Sequence, residues 1–219
     1  RPLPARPVTF PPYEIRKLGN GMQVVLVSQN EQPVVSVRMI VRAGAAHDPK
    51  GKNGLAMLTA TLLDQGAGRR NAEQIAETID FMGGVLGTGA GTDLSFISAV
   101  VMKDSYDVAL DLMSDVVQWP TVAPEEIERQ RQQALSGLKV AAEDPESVAD
   151  RVIGRLIYGF HPYGMPGAGT PESLAGLTRA DFVDFHKKYF VPNNALVAVV
   201  GDIGAAEAMA GLEKHFGAW

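Results

Sequence analysis

An α+β fold is predicted for this chain: a two-layer domain in which a mostly antiparallel sheet carries helices packed on one face. Three observations predict it. Two β-rich runs, 22–28 and 34–43, flank the segment Asn30-Glu31-Gln32-Pro33, a turn composition that predicts an antiparallel hairpin. Helical patterns over 52–65 and 71–82 come before the next strand, 92–101. Strands and helices then arrive in runs instead of the strict alternation that a βαβ array requires.

The remaining elements follow from periodicity and end signals. Helices are expected at 104–118, 124–141, 146–158, 171–175, 179–189 and 204–216, with a strand at 194–201. Pro124 suits the first turn of its helix, where a missing N–H costs nothing. Thr178 with Asp181 resembles a capping box with Asp in place of Glu. Residues 1–14 read as a Pro-rich extended arm, because Pro2, Pro4, Pro7, Pro11 and Pro12 fix φ and remove donors. Residues 15–219 then form a single domain. Arg1 is not an initiator methionine, so a processed or excised chain is expected.

Composition excludes several classes of function. A chain of 219 residues buries about 70% of its unfolded surface, enough for a sizeable core. Its 20 basic and 25 acidic residues give a net charge of -5 with no run of Lys or Arg, which argues against nucleic-acid binding. No apolar run approaches the roughly 20 residues of a membrane-spanning helix. With no cysteine there is neither a disulfide framework nor a thiol nucleophile.

The segment 54–65 is the most informative part of the chain. On a 3.6-residue period Leu55, Leu58, Thr59 and Leu62 share an apolar stripe, and Met57, Ala60, Thr61 and Asp64 fall opposite. Positions 57 and 61 are one turn apart with 60 beside them, the spacing by which two histidines and a carboxylate share a metal. None of the three residues present can do that. Exposed Met57 and Ala60 would instead make a sticky apolar face.

Around this helix stand Ala43-Gly44, His47-Asp48-Pro49, Gly54-Leu55-Ala56 and Gly66. Further along come His161-Pro162-Tyr163-Gly164, Gly169-Thr170, Tyr189-Phe190-Val191-Pro192-Asn193-Asn194 and Val199-Val200-Gly201-Asp202. The ordered set resembles the pitrilysin and insulinase type of zinc peptidase, which includes mitochondrial processing peptidase. The resemblance implies the processing-peptidase-like metallohydrolase fold, and one half of a two-half architecture.

In that family the helix frame reads Gly-Leu-Ala-His-x-x-Glu-His, in which two histidines hold zinc and the glutamate activates its water. Met57 and Thr61 stand at the histidine positions and Ala60 at the glutamate position. A third ligand, a glutamate on a later helix, maps to Gly137 within about one residue when counted back from Asp144-Pro145. A neutral thioether and an un-ionised hydroxyl are poor zinc donors, and no general base remains. No metal or other cofactor is therefore expected, although active relatives use zinc.

In the related peptidases an edge strand borders the cleft and takes substrate as an added strand. By resemblance, 86–96 is the candidate here, with Leu86, Gly87, Thr88, Gly89 and Ala90 as its substrate-binding residues. The five glycines of 83–92 lack the Lys-Ser/Thr ending of a phosphate loop. His47, His161, His186 and His215 lie in different elements. His47 and His161 read as loop histidines and His186 as a surface position.

The implied function is that of a catalytically inactive, peptidase-like subunit or half. It forms part of a peptide-binding chamber and assists proteolysis by an active zinc-bearing partner or second half. Two other readings stay open, an active metallopeptidase with atypical ligands and a non-enzymatic scaffold. An exported or periplasmic location is favoured by resemblance to exported bacterial relatives.

Overall fold

The computed structural model describes residues 10–219, so most of the expected N-terminal arm lies outside the described residues. The first strand, β1 (Glu14–Lys17), takes Glu14 out of that arm and pairs it with Leu26 of β2 (Gln23–Ser28). After β3 (Val34–Val41) come α1 (Leu55–Leu62), a two-residue ribbon of β4 (Gly66–Ala67) and β5 (Arg70–Asn71), and α2 (Ala72–Phe81). The chain then forms β6 (Val85–Ala90), β7 (Ser95–Met102), α3 (Tyr106–Gln118), α4 (Pro124–Glu143) and α5 (Pro145–Tyr158). It ends with α6 (Pro171–Gly176), α7 (Arg179–Tyr189), β8 (Ala195–Gly201) and α8 (Ala205–Phe216).

The six-stranded sheet has the order β1-β2-β8-β3-β7-β6, and every pairing but β2 with β8 is antiparallel. The expected hairpin of 22–28 with 34–43 is not formed, because β8 lies between the two strands. Backbone bonds from Gln29 to Gly201 (2.8 Å) and from Asp202 to Val34 (3.1 Å) lock the end of β8 under the β2–β3 connection. Gly201 sits there at φ +143, with the Val34 carbonyl 2.1 Å from where a Cβ would be. Only glycine fits that approach.

One face of the sheet builds the core. Val24, Leu26, Val37, Met39, Ile97 and Val199 are all nearly or fully buried and join the inward residues of α1, α3, α7 and α8. The period-2 alternation along β3 and β7 is the register signal for that face. Helix ends are satisfied locally. Pro124 opens α4, and Thr178 N donates to Asp181 Oδ2 at 2.9 Å at the start of α7.

Candidate functional site

The loop before α1 positions that helix. Gly54 adopts φ +95, and a side chain there would collide with Leu174 Cδ2 at 2.7 Å. The Asp48 carboxylate accepts from the amides of Gly54 and Ala56, both at 2.8 Å, satisfying donors at the helix start that no residue within the helix can satisfy. Burial pushes the Asp48 carboxyl up to about 6, with those amides pulling the other way. His47 belongs to the same turn, its Nδ1 accepting from Gly44 N at 3.3 Å and its ring standing edge-on to Tyr189.

The regular helix is shorter than the expected 52–65, running from Leu55 to Leu62. Met57 is half-buried, with its terminal methyl beside Gly167. Ala60 is fully buried, so the expected exposed face of Met57 and Ala60 does not exist; neighbouring elements close over the middle of it. Thr61 donates its hydroxyl to Leu58 O at 3.0 Å, a bond within the helix that turns the side chain to its own backbone. At the end of the same face, burial raises Asp64 above the usual carboxylate range. The side chains of Gln65 and Thr88 and the Arg129 charge act in the opposite direction.

Gly137 does not come to this place. It is exposed on α4, and a Cβ there would meet nothing within 4 Å. The next residue, Leu138, packs against the core and lines a cavity of about 580 Å³ with Asn53 and Gly167, whose neighbour is Met57. Leu138 lies within the one-residue tolerance of the count back from Asp144-Pro145. What distinguishes it from Gly137 is the buried face of α4, where Ile127, Arg131, Ala134, Leu135 and Leu138 recur at helical spacing.

The residues Leu86, Gly87, Thr88, Gly89 and Ala90 all lie in β6, the last strand of the sheet. Residues 91–94 turn, and 95–96 already belong to β7, so the candidate strand is shorter than 86–96. Strand 92–101 likewise begins later, at Ser95. Among the described residues β6 pairs only with β7, which leaves outward N–H and C=O groups along its free side. Leu86 faces the core and lines a cavity of about 450 Å³ with Asp64 and Gln65, and Thr88 approaches Asp64, so β6 runs beside the end of the α1 segment. Gly89 is required on the other face, where a Cβ would lie 2.6 Å from the Phe96 ring.

The histidines do not assemble a metal site. His186 is not the expected surface residue: its Nε2 lies 2.8 Å from Val117 O, its ring stacks on Phe190, and burial lowers its pKa. His215 pairs with Asp107 at 2.9 Å. His161 accepts from Tyr163 N at 3.2 Å. Among the described residues no three His, Cys, Asp or Glu side chains are grouped to hold a metal ion.

Residues 23–170 match the insulinase family, peptidase family M16, and residues 176–219 match the peptidase M16 inactive domain. The chain belongs to peptidase family M16. An uncharacterized zinc protease of Mycobacterium leprae is 30% identical over 91% of this chain and 45% of its own length. Zinc protease PqqE of Helicobacter pylori is 26% identical over 94% of this chain and 47% of its own length. This M16 chain thus spans about half the length of the curated relatives it matches.

Among solved structures, a peptidase M16 inactive domain from Pseudomonas fluorescens superposes with a TM-score of 0.90 at 28% identity. That match covers 94% of this chain and 50% of the other. Pitrilysin matches at 0.84 and 23% identity over 94% of this chain and 22% of its own, a likeness of fold.

Zinc is the metal that the names of the M16 relatives imply. The donor set here does not fit it. A thioether, a methyl group and a hydroxyl already bonded to Leu58 O occupy the helix positions, with leucine or an outward glycine on α4. A zinc site needs at least three nitrogen, thiolate or carboxylate donors in fixed geometry.

Proposed function

We propose that this M16 domain is a non-catalytic peptide-holding unit, one wall of a chamber in which a zinc-bearing partner or second half performs the hydrolysis. The observation that carries it is the α1 frame. Gly54 and Asp48 still set the helix start, while the three positions that would hold and use zinc are Met57, Ala60 and Thr61. A cleft kept without its chemistry retains a use only in binding. The free edge of β6, a strand that packs next to α1, supplies the means, since an extended peptide adds to such an edge through main-chain hydrogen bonds. An exported, periplasmic setting belongs to the same proposal.

The test joins metal analysis to peptide binding. The purified chain is expected to hold no stoichiometric zinc, to leave a fluorescent peptide library uncut, and to bind extended peptides in an anisotropy titration. Thr88→Pro, which disturbs the β6 edge, is expected to weaken that binding at least tenfold. Stoichiometric zinc with peptide cleavage, or binding indifferent to Thr88→Pro, would sink the reading.

A further inference from the structure

Hydrogen bonding along β6 alternates, so its free edge has a fixed sidedness. Gly91 N donates to Leu94 O at 2.8 Å where the turn between β6 and β7 closes. Alternation back through the register makes Gly89, Gly87 and Val85 the residues bonded to β7. The N–H and C=O groups of Leu86, Thr88 and Ala90 therefore point to the free side. Their side chains share one face of the strand. It is the face of the helical layer, because Leu86 packs against the core and Thr88 reaches Asp64.

On that face Leu86 lines the cavity of about 450 Å³ between the end of the α1 segment, α2 and the start of β6. Buried Ile75 and Ile79, with exposed Ala76, give the cavity an apolar wall. Its acids are Asp64, which is half-buried, and Asp80, which is exposed. The ion pairs among the described residues include neither of them.

The surroundings of Asp64 leave its charge largely uncompensated. Its side-chain partners, Gln65 and Thr88, are neutral. The cation whose charge bears on it, Arg129, is itself bonded to Glu126 at 2.8 Å. Removing a carboxylate from water without a cation of its own is costly, and burial accordingly holds Asp64 above the ordinary carboxylate range.

An apolar wall that ends at an unpaired carboxylate matches one kind of side chain, a hydrocarbon stem with a positive head, as in Lys and Arg. A peptide strand added antiparallel to β6 would pair residue for residue with Leu86 and Thr88. Directly opposed side chains lie on the same face of a sheet, with Cβ atoms about 5 Å apart, so the peptide residue opposite Leu86 enters the cavity. We propose that the β6 edge selects extended peptides by a basic residue, whose stem lies along Ile75, Ile79 and Leu86 and whose ammonium or guanidinium group pairs with Asp64. The inference rests on the peptide-holding reading and adds the chemistry of the side chain that is held.

The full chain is titrated by anisotropy with extended fluorescent peptides identical except at one central position, which carries Lys, Arg, norleucine or Glu. The Lys and Arg peptides are expected to bind about tenfold more tightly than the norleucine peptide, the scale of one close charge pair across an interface. The Glu peptide is expected to bind most weakly. Asp64→Asn, checked for unchanged circular dichroism, is expected to bring Lys and Arg down to the norleucine level and to leave norleucine itself unchanged. Asp64→Glu, which keeps the charge, and Glu73→Gln, at an exposed residue of α2 outside the cavity, are expected to retain the preference. Thr88→Pro separates the two claims, since it is expected to weaken all four peptides alike. Binding without a basic preference, or a preference that survives Asp64→Asn, overturns the inference and leaves the holding role standing. Failure of every peptide to bind overturns both.

Discussion

The backbone of Gly201 passes so close beneath Val34 that a Cβ on Gly201 would lie 2.1 Å from the Val34 carbonyl oxygen. That approach is the point at which β8 slides between β2 and β3, and it decides the order of the whole sheet.

Gly201→Ala is therefore expected to cost more than about 1 kcal/mol, because the residue needs a positive φ as well as space. The loss is read as a lowered midpoint in urea unfolding. Gly204→Ala is the control, since a Cβ there meets nothing within 4 Å. Equal stability of the two variants would mean that β8 does not approach Val34 so closely.

Asp48 links the start of α1 to pH. Its folded-state pKa of about 6 lies above the ordinary aspartate value of 3.8, so the folded state binds the proton more tightly than the unfolded one. The group's stabilising contribution is complete below about 3.8 and is lost as pH rises through about 6. Each tenfold difference in proton affinity is worth about 1.4 kcal/mol, so the change over that window is up to roughly 3 kcal/mol. Asp48→Asn is expected to flatten this part of the stability–pH curve. An unaltered slope between wild type and variant would remove Asp48 as its origin.

The zinc positions are separable by reconstruction. Met57→His, Ala60→Glu and Thr61→His together with Leu138→Glu are expected to bind zinc at one equivalent, measured by calorimetry. The same three changes with Gly137→Glu are expected to bind far more weakly, because Gly137 is exposed and Leu138 faces the hollow beside Met57. Ala60→Glu enlarges a buried site, so circular dichroism of both combinations comes first. Equal zinc affinity in the two would reverse the assignment.

Much of the helical layer was legible from local pattern. The stripe of Leu55, Leu58, Thr59 and Leu62 is buried as its spacing requires, Pro124 opens its helix, and Thr178 and Asp181 form their box. These features act within one or two turns, so neighbouring residues carry their full cause. The family frame around 54–61 was legible for the same reason.

What the sequence by itself determined was the kind of element in the longer stretches, though not the short strands β1, β4 and β5, and the absence of zinc donors at Met57, Ala60 and Thr61, because both are properties of residue type and spacing. Strand order, the burial of Ala60, the inward place of Leu138 and the tie of His186 to Val117 were decided only by the tertiary structure. Each depends on groups distant in sequence meeting in space. A turn at 30–33 is compatible with a hairpin and equally with a crossing over β8. The choice belongs to Gly201, 167 positions further along the chain than Val34 (201 minus 34), whose missing Cβ lets the central strand enter.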